Sequence, residues 1–133
     1  LAAFDLPPRR APEDLWRGDS ELLRLWASGA APQCIIRLAV NAEPTILGVA
    51  LTQLKAEMLS GTPSAHLEVL AVRADAEGRG IAKALVHDAE AAVRARGATT
   101  LSLNVFATNG RARGVYERLG FEEELIRYIK YLT

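Results

Sequence analysis

The chain has 133 residues, half of them apolar, with sixteen basic residues balancing sixteen acidic ones. That is enough for one folded domain with a core, and too little for two. Zero net charge excludes the basic excess of a general nucleic-acid binder.

The single cysteine, Cys34, lies in the apolar run Cys34-Ile35-Ile36. No intrachain disulfide is possible, so a disulfide-stapled secreted scaffold is excluded and a cytoplasmic location is expected. Cys34 reads as a small buried hydrophobe rather than a nucleophile. Two histidines, His66 and His87, without acidic or thiol neighbours at ligand spacing, predict no metal site. No apolar stretch reaches the ~20 residues of a membrane helix, and the given residues open on no basic-then-apolar pattern. The chain opens on Leu1 rather than Met. One domain over residues 1–133 is therefore expected, with N-terminal residues missing.

Residues 1–12, with Pro7, Pro8 and Pro12, predict an extended lead-in. Leu22, Leu23, Leu25 and Trp26 predict a helix over 19–28, with Gly18 interrupting before it and Gly29 stopping it. Trp16 and Trp26 are expected to pack that helix. Branched residues predict strands over 33–40, 45–54 and 65–72, joined by turns at 41–44 and 55–64. Such short connections make an antiparallel meander. Ile81, Leu85, Ala89 and Val93 recur at helical spacing over 80–96, and Gly97 follows. A strand over 99–105, a helix over 109–119 capped by Asn109, and one or two strands over 121–133 complete the chain. The fold class is α+β: a mixed, mainly antiparallel sheet flanked by helices, with a βαβ crossover late in the chain.

The chemistry concentrates where the third strand ends and the long helix begins, Glu77-Gly78-Arg79-Gly80-Ile81-Ala82-Lys83. Glycines permit unusual dihedrals and close ligand approach. The free N–H groups of a first helical turn, with the helix dipole, favour an anion such as a phosphate. Arg79 and Lys83 stand where acidic residues are normally preferred, and a polyanion would reverse that penalty. A dinucleotide fingerprint needs a third glycine where Lys83 stands, and a phosphate-binding Gly-x-x-x-x-Gly-Lys-Ser/Thr string is absent.

These residues resemble the GNAT superfamily of N-acetyltransferases. Leu70-Ala71-Val72 matches its strand end, and Gly80 and Ala82 match the second half of its cofactor turn. Leu101 to Val105, then Asn109, Ala112 and Tyr116-Glu117-Arg118-Leu119-Gly120-Phe121, are similar to its second signature. The resemblance implies a splayed central strand pair with acetyl-CoA in the gap, between strands ending at Val72 and near Val105. It implies that the N–H groups of Glu77, Gly78, Arg79, Gly80, Ile81, Ala82 and Lys83 hold the diphosphate. Leu70, Ala71 and Val72 would pair with the pantetheine arm, and Asn109 would bond it from the other side. A small-molecule or peptide amine would attack the thioester directly, with Tyr116 protonating the leaving thiolate and a backbone N–H near Leu70 stabilising the oxyanion. The sequence departs from the family at Glu77, where Arg or Gln is usual, and at Asn104, where some members carry Glu. Glu68, reading as a strand residue sharing a face with His66 and Leu70, becomes the candidate base, acting directly or through water. His66 and His87 read as bland strand and surface residues. The alternatives are a non-catalytic acyl-CoA-binding module, a fragment of a larger acetyltransferase, and more remotely a nucleotide-binding domain. Sheet edges leave a homodimer open.

Overall fold

A computed structural model describes residues 6–132; the first five residues of the lead-in, and Thr133, lie outside them. A 3₁₀ turn at Pro12–Leu15 leads into helix α1, Arg17–Ala27. Gly18 falls inside that helix, contrary to expectation. It sits in the first turn, where backbone N–H groups have no intrahelical partner anyway.

Strands β1 (Cys34–Val40), β2 (Ile46–Ala56) and β3 (Pro63–Val72) form the expected antiparallel meander. Helix α2, Ile81–Ala95, crosses back so that β4, Leu101–Leu103, lies parallel to β3. The sheet order is β1-β2-β3-β4, and helix α3, Gly110–Arg118, follows. No helix among the described residues is long and apolar enough to cross a membrane.

Each sheet face collects its own apolar set. On one, Ala50, Leu67 and Leu70 pack against Leu85, Val86 and Ala89 of α2, and Ala65 packs with Val93 and Ala98. On the other, Leu51 and Cys34 pack with Ala31, and Leu22 of α1, Ile36 and Val69 complete the patch. Cys34 is buried as its setting in the sequence implied. Burial pushes its thiol pKa up, with a smaller push from the Glu68 charge.

Three expectations are corrected. The fourth strand is three residues, not seven, because its pairing with β3 runs only from Ala65–Leu101 to Leu67–Leu103. Residues 121–132 form no strand. Their apolar residues come as adjacent pairs at Leu125-Ile126, Tyr128-Ile129 and Tyr131-Leu132. A period of three cannot gather on one face of a strand, whose side chains alternate. Tyr131 instead lies beneath the guanidinium groups of Arg9 and Arg10, 5.3 and 5.6 Å from its ring centre. Finally, Trp16 and Trp26 remain 55% and 44% exposed, because α1 meets the sheet chiefly through Leu22.

Gly48 sets the seat of α2. A Cβ there would lie 3.0 Å from the Ala71 carbonyl oxygen and 3.0 Å from Leu85 Cδ1, with Ile81 Cγ2 at 3.2 Å. The bare backbone lets the first two turns of α2 lie close on β2. Gly48→Ala is expected to destabilise the domain by about 1–3 kcal/mol through overpacking, read as a lower urea midpoint at unchanged slope.

Candidate active site

The site begins with an irregularity in β3. Leu51 pairs with Val69, but the next residue of β2, Thr52, pairs with Leu67. Glu68 is thus an extra residue opposite β2, a β-bulge. The bulge resets the alternation: Leu67 and Leu70 both face α2, whereas Val69 faces α1. The expectation that Glu68 shares a face with Leu70 is therefore wrong, because one extra residue inverts every later side chain.

At the same point β3 loses its other neighbour. Pairing with β4 stops at Leu67 and Leu103, and β3 continues to Val72 with no strand among the described residues on that side. The backbone edge from Glu68 through Leu70, Ala71 and Val72 is left open to an extended ligand. Polar rungs hold the paired part. Ser64 Oγ and Thr100 Oγ1 are 2.6 Å apart, and His66 Nδ1 and Ser102 Oγ are 2.8 Å apart.

The chain then turns through a short 3₁₀ segment, Ala74–Ala76, into α2. Gly78 and Gly80 have φ of +80° and +76°, the left-handed region that favours glycine. Gly80 caps α2, and no side chain caps the free amides of its first turn. Ile81, Ala82 and Lys83 therefore present N–H groups with the positive end of the helix dipole behind them. The first turn holds no acidic residue. Arg79 lies just outside the helix, where its guanidinium donates to the Asp75 carbonyl oxygen at 3.2 Å. This arrangement fits a diphosphate: donors are free, the backbone approach is bare, and the nearby cations are exposed.

Glu77 does not point its charge into that cradle unopposed. Arg111, in the first turn of α3, donates to Glu77 Oε2 at 2.8 Å. The Arg111 hydrogen bond and charge hold the Glu77 carboxyl below its ordinary pKa. This ion pair joins the α2 entrance to α3 across the open end of the sheet. Nothing local marks Arg111 as its partner, since the two are 34 residues apart.

Asn109 is buried, and its side-chain oxygen accepts the Ala112 N–H at 3.2 Å, the expected N-cap. Tyr116 is half-buried against the α2 core, with its ring edge-on to Phe121 at 5.9 Å between centres. Burial pushes its phenol pKa up, so it stays protonated at neutral pH.

Glu68 lies on the α1 face, where it accepts from Gln53 Nε2 at 3.2 Å and meets Lys55 Nζ at 3.8 Å. Asp19 of α1, which sequence reasoning passed over, has its pKa raised by burial and then by the Glu68 charge. It precedes Leu22 by one helical turn, so both lie on the α1 face that covers Val69. His87 is exposed on α2. Asn104, beyond the end of β4, is also exposed. Among the described residues no group of three or more His, Cys, Asp or Glu is placed to hold a metal.

Known proteins are similar to this chain in family and in fold. The model of the acetyltransferase (GNAT) family matches residues 2–121. A Pyrococcus furiosus protein, provisionally described as an acetyl transferase, superposes with a TM-score of 0.76 at 22% identity, over 96% of this chain and 83% of its own. The aminoglycoside 6'-N-acetyltransferase AAC(6')-Iy, in complex with the bisubstrate analogue CoA-S-monomethyl-acetylneamine, gives 0.71 at 24% identity, over 90% and 86%. AAC(6')-Ih of Acinetobacter baumannii gives 0.70 at 22% identity, over 96% and 85%.

The Glu77–Arg111 pair predicts a measurable effect on ligand affinity. Glu77→Gln removes a negative charge beside the cradle and releases Arg111. CoA is expected to bind a few-fold more tightly by calorimetry, with the gain shrinking in high salt. Adding Arg111→Ala to that variant is expected to abolish the gain.

Proposed function

Because the chain belongs to the acetyltransferase (GNAT) family, we propose that it transfers the acetyl group of acetyl-CoA to a primary amine of a small molecule or peptide. The observation that carries this reading is the pairing of an open β3 edge, from Glu68 to Val72, with an uncapped helix entrance at Gly80. The edge suits an amide-bearing arm, and the entrance suits a diphosphate. Asn109, the N-cap of α3, is assigned to hold the arm from the other side. That two fold neighbours are aminoglycoside N-acetyltransferases supports an amine acceptor.

Acetyl-CoA supplies an activated thioester, and the residues of this chain handle position and protons. Backbone N–H groups near Leu70 offer the oxyanion its donors. An alkyl ammonium, with a pKa near ~10, must lose a proton before its nitrogen can attack. Glu68, on the α1 face at the bulge, receives that ammonium and draws the proton, directly or through water. The new C–N bond forms as the C–S bond breaks. Tyr116, kept protonated by burial, gives its proton to the departing sulfur and regains one through water as the new amide nitrogen loses its second proton.

The test is thiol release from acetyl-CoA across a panel of primary amines. Turnover supports the reading; saturable CoA binding without turnover on any amine would turn it into that of a binding module. Tyr116→Phe is expected to lower kcat by roughly 10²-fold or more while leaving the affinity for CoA unchanged. An unchanged kcat would remove Tyr116 from the reaction.

A further inference from the structure

His66 is nine-tenths buried, and nothing in the reaction above uses it. It stands on β3 directly opposite Gln53 of β2 and Ser102 of β4. That rung is the last but one before β3 and β4 part. Its neighbours Ala65 and Leu67 face α2, so its ring lies on the α1 face, as does Glu68.

Its Nδ1 faces the Ser102 hydroxyl at 2.8 Å, a contact in which either group can donate. The Ser102 hydroxyl can donate to the Ala65 carbonyl oxygen at 3.5 Å. With its proton so directed, Ser102 Oγ meets His66 Nδ1, 2.8 Å away, as an acceptor. Nδ1 must then carry the ring proton. Nε2 is left with a bare lone pair, and among the described residues it has no hydrogen-bond partner. A neutral imidazole in this form is a base, two residues before the bulge residue Glu68 on the same strand.

We propose that His66 is the terminal proton acceptor of the transfer, its Nδ1–H fixed by Ser102 and its Nε2 taking the proton that the acceptor ammonium gives up. The proposal rests on the acetyltransferase reading. Glu68 draws the ammonium by charge, and the proton passes through it or a bridging water to Nε2. The amine nitrogen bonds to the acetyl carbon, the C–S bond breaks as Tyr116 protonates the sulfur, and the second proton shed by that nitrogen restores the Tyr116 phenol through water. The imidazolium then returns its proton to solvent. A carboxylic acid, with an ordinary pKa of ~4, holds a proton poorly at neutral pH, whereas imidazole, at ~6.5, is matched to the task. Burial lowers the His66 pKa first; the facing Glu68 carboxylate opposes that and the Lys55 ammonium adds to it. Asp19 of α1 and the Cys34 thiol of β1 face Glu68 rather than adding a cation. The ring is therefore neutral at pH 7, and activity falls only as pH drops below the ordinary imidazole range.

Two measurements test this. In ¹⁵N-labelled protein with His87→Gln for assignment, ring resonances of His66 are expected to report a neutral, Nδ1-protonated imidazole at pH 7. An Nε2-protonated ring would overturn the proposal, whether or not any variant folds. With the amine that turns over best, His66→Gln is expected to cut kcat/KM by about 10²-fold and abolish its acid limb, with CoA affinity intact. Ser102→Ala, which frees the tautomer, is expected to give a smaller loss and keep the limb. A His66→Gln enzyme that retains both rate and limb would exclude His66 while leaving the acetyltransferase reading standing. A wild-type enzyme that acetylates no amine would defeat that reading, and this one with it.

Discussion

Two strands that run side by side as far as Leu67 and Leu103 stop sharing hydrogen bonds there, and the bulge at Glu68 occurs at the same level. An unpaired backbone edge is costly inside a protein, since its N–H and C=O groups need partners. Here the edge is kept open by construction. The Ser64–Thr100 and His66–Ser102 rungs clamp the lower part of the pair. The bulge bends β3 just above the clamp, because a bulged strand twists more strongly than its partner. β4 then has nothing left to pair with and leaves the sheet after three residues. The open edge is thus a consequence of where one extra residue was inserted.

The helix entrance depends on the same geometry. α2 reaches the open end only because Gly48 lets Ile81 and Leu85 settle close on β2. The first-turn amides of α2 carry no side-chain cap, and glycines at positive φ stand on either side of Arg79 just before them. A side chain at Gly80 that capped the helix would have satisfied those amides internally. Glycine leaves them to a ligand. The unusual acid in the turn, Glu77, is absorbed by Arg111 of α3. Both groups are substantially exposed, so the pair is weak in water. Its consequence is geometric: it ties α3, which carries Asn109 and Tyr116, to the entrance of α2.

Much of this was legible in the residues. The period of Ile81, Leu85, Ala89 and Val93 identified α2, and the glycine pair identified its entrance, because helix periodicity and backbone permissiveness are local properties. The antiparallel meander was legible for the same reason. What escaped were properties of pairs distant in sequence. A bulge leaves no mark in β3 alone, since Glu68 reads as an ordinary alternating residue until its partner strand is known. The length of β4 depends on when β3 turns away. Arg111 and Asp19 become part of the site only through contacts made by other elements. Residues 121–132 were misread because their apolar content suggested a strand, although the spacing of that content did not fit one.

Zero net charge concealed a division of labour between the two faces of the opening. Cations gather where a diphosphate fits: Arg79 before α2, Lys83 in its first turn, and Arg111 opposite. Across the sheet, on the α1 face, the carboxylates Glu68 and Asp19 stand close enough for one to shift the other's pKa. A reaction between an anionic donor and a cationic acceptor needs these opposite fields, and it needs them separated so that neither partner occupies the other's place. The sheet supplies the separation, with β3 as the wall between them. His66 stands in that wall. Burial there lowers its pKa, against the opposing pull of the Glu68 charge. In the proposed relay the acid that attracts an ammonium is not the base that discharges it, so charge attraction and proton acceptance fall to two different groups on one face of the sheet.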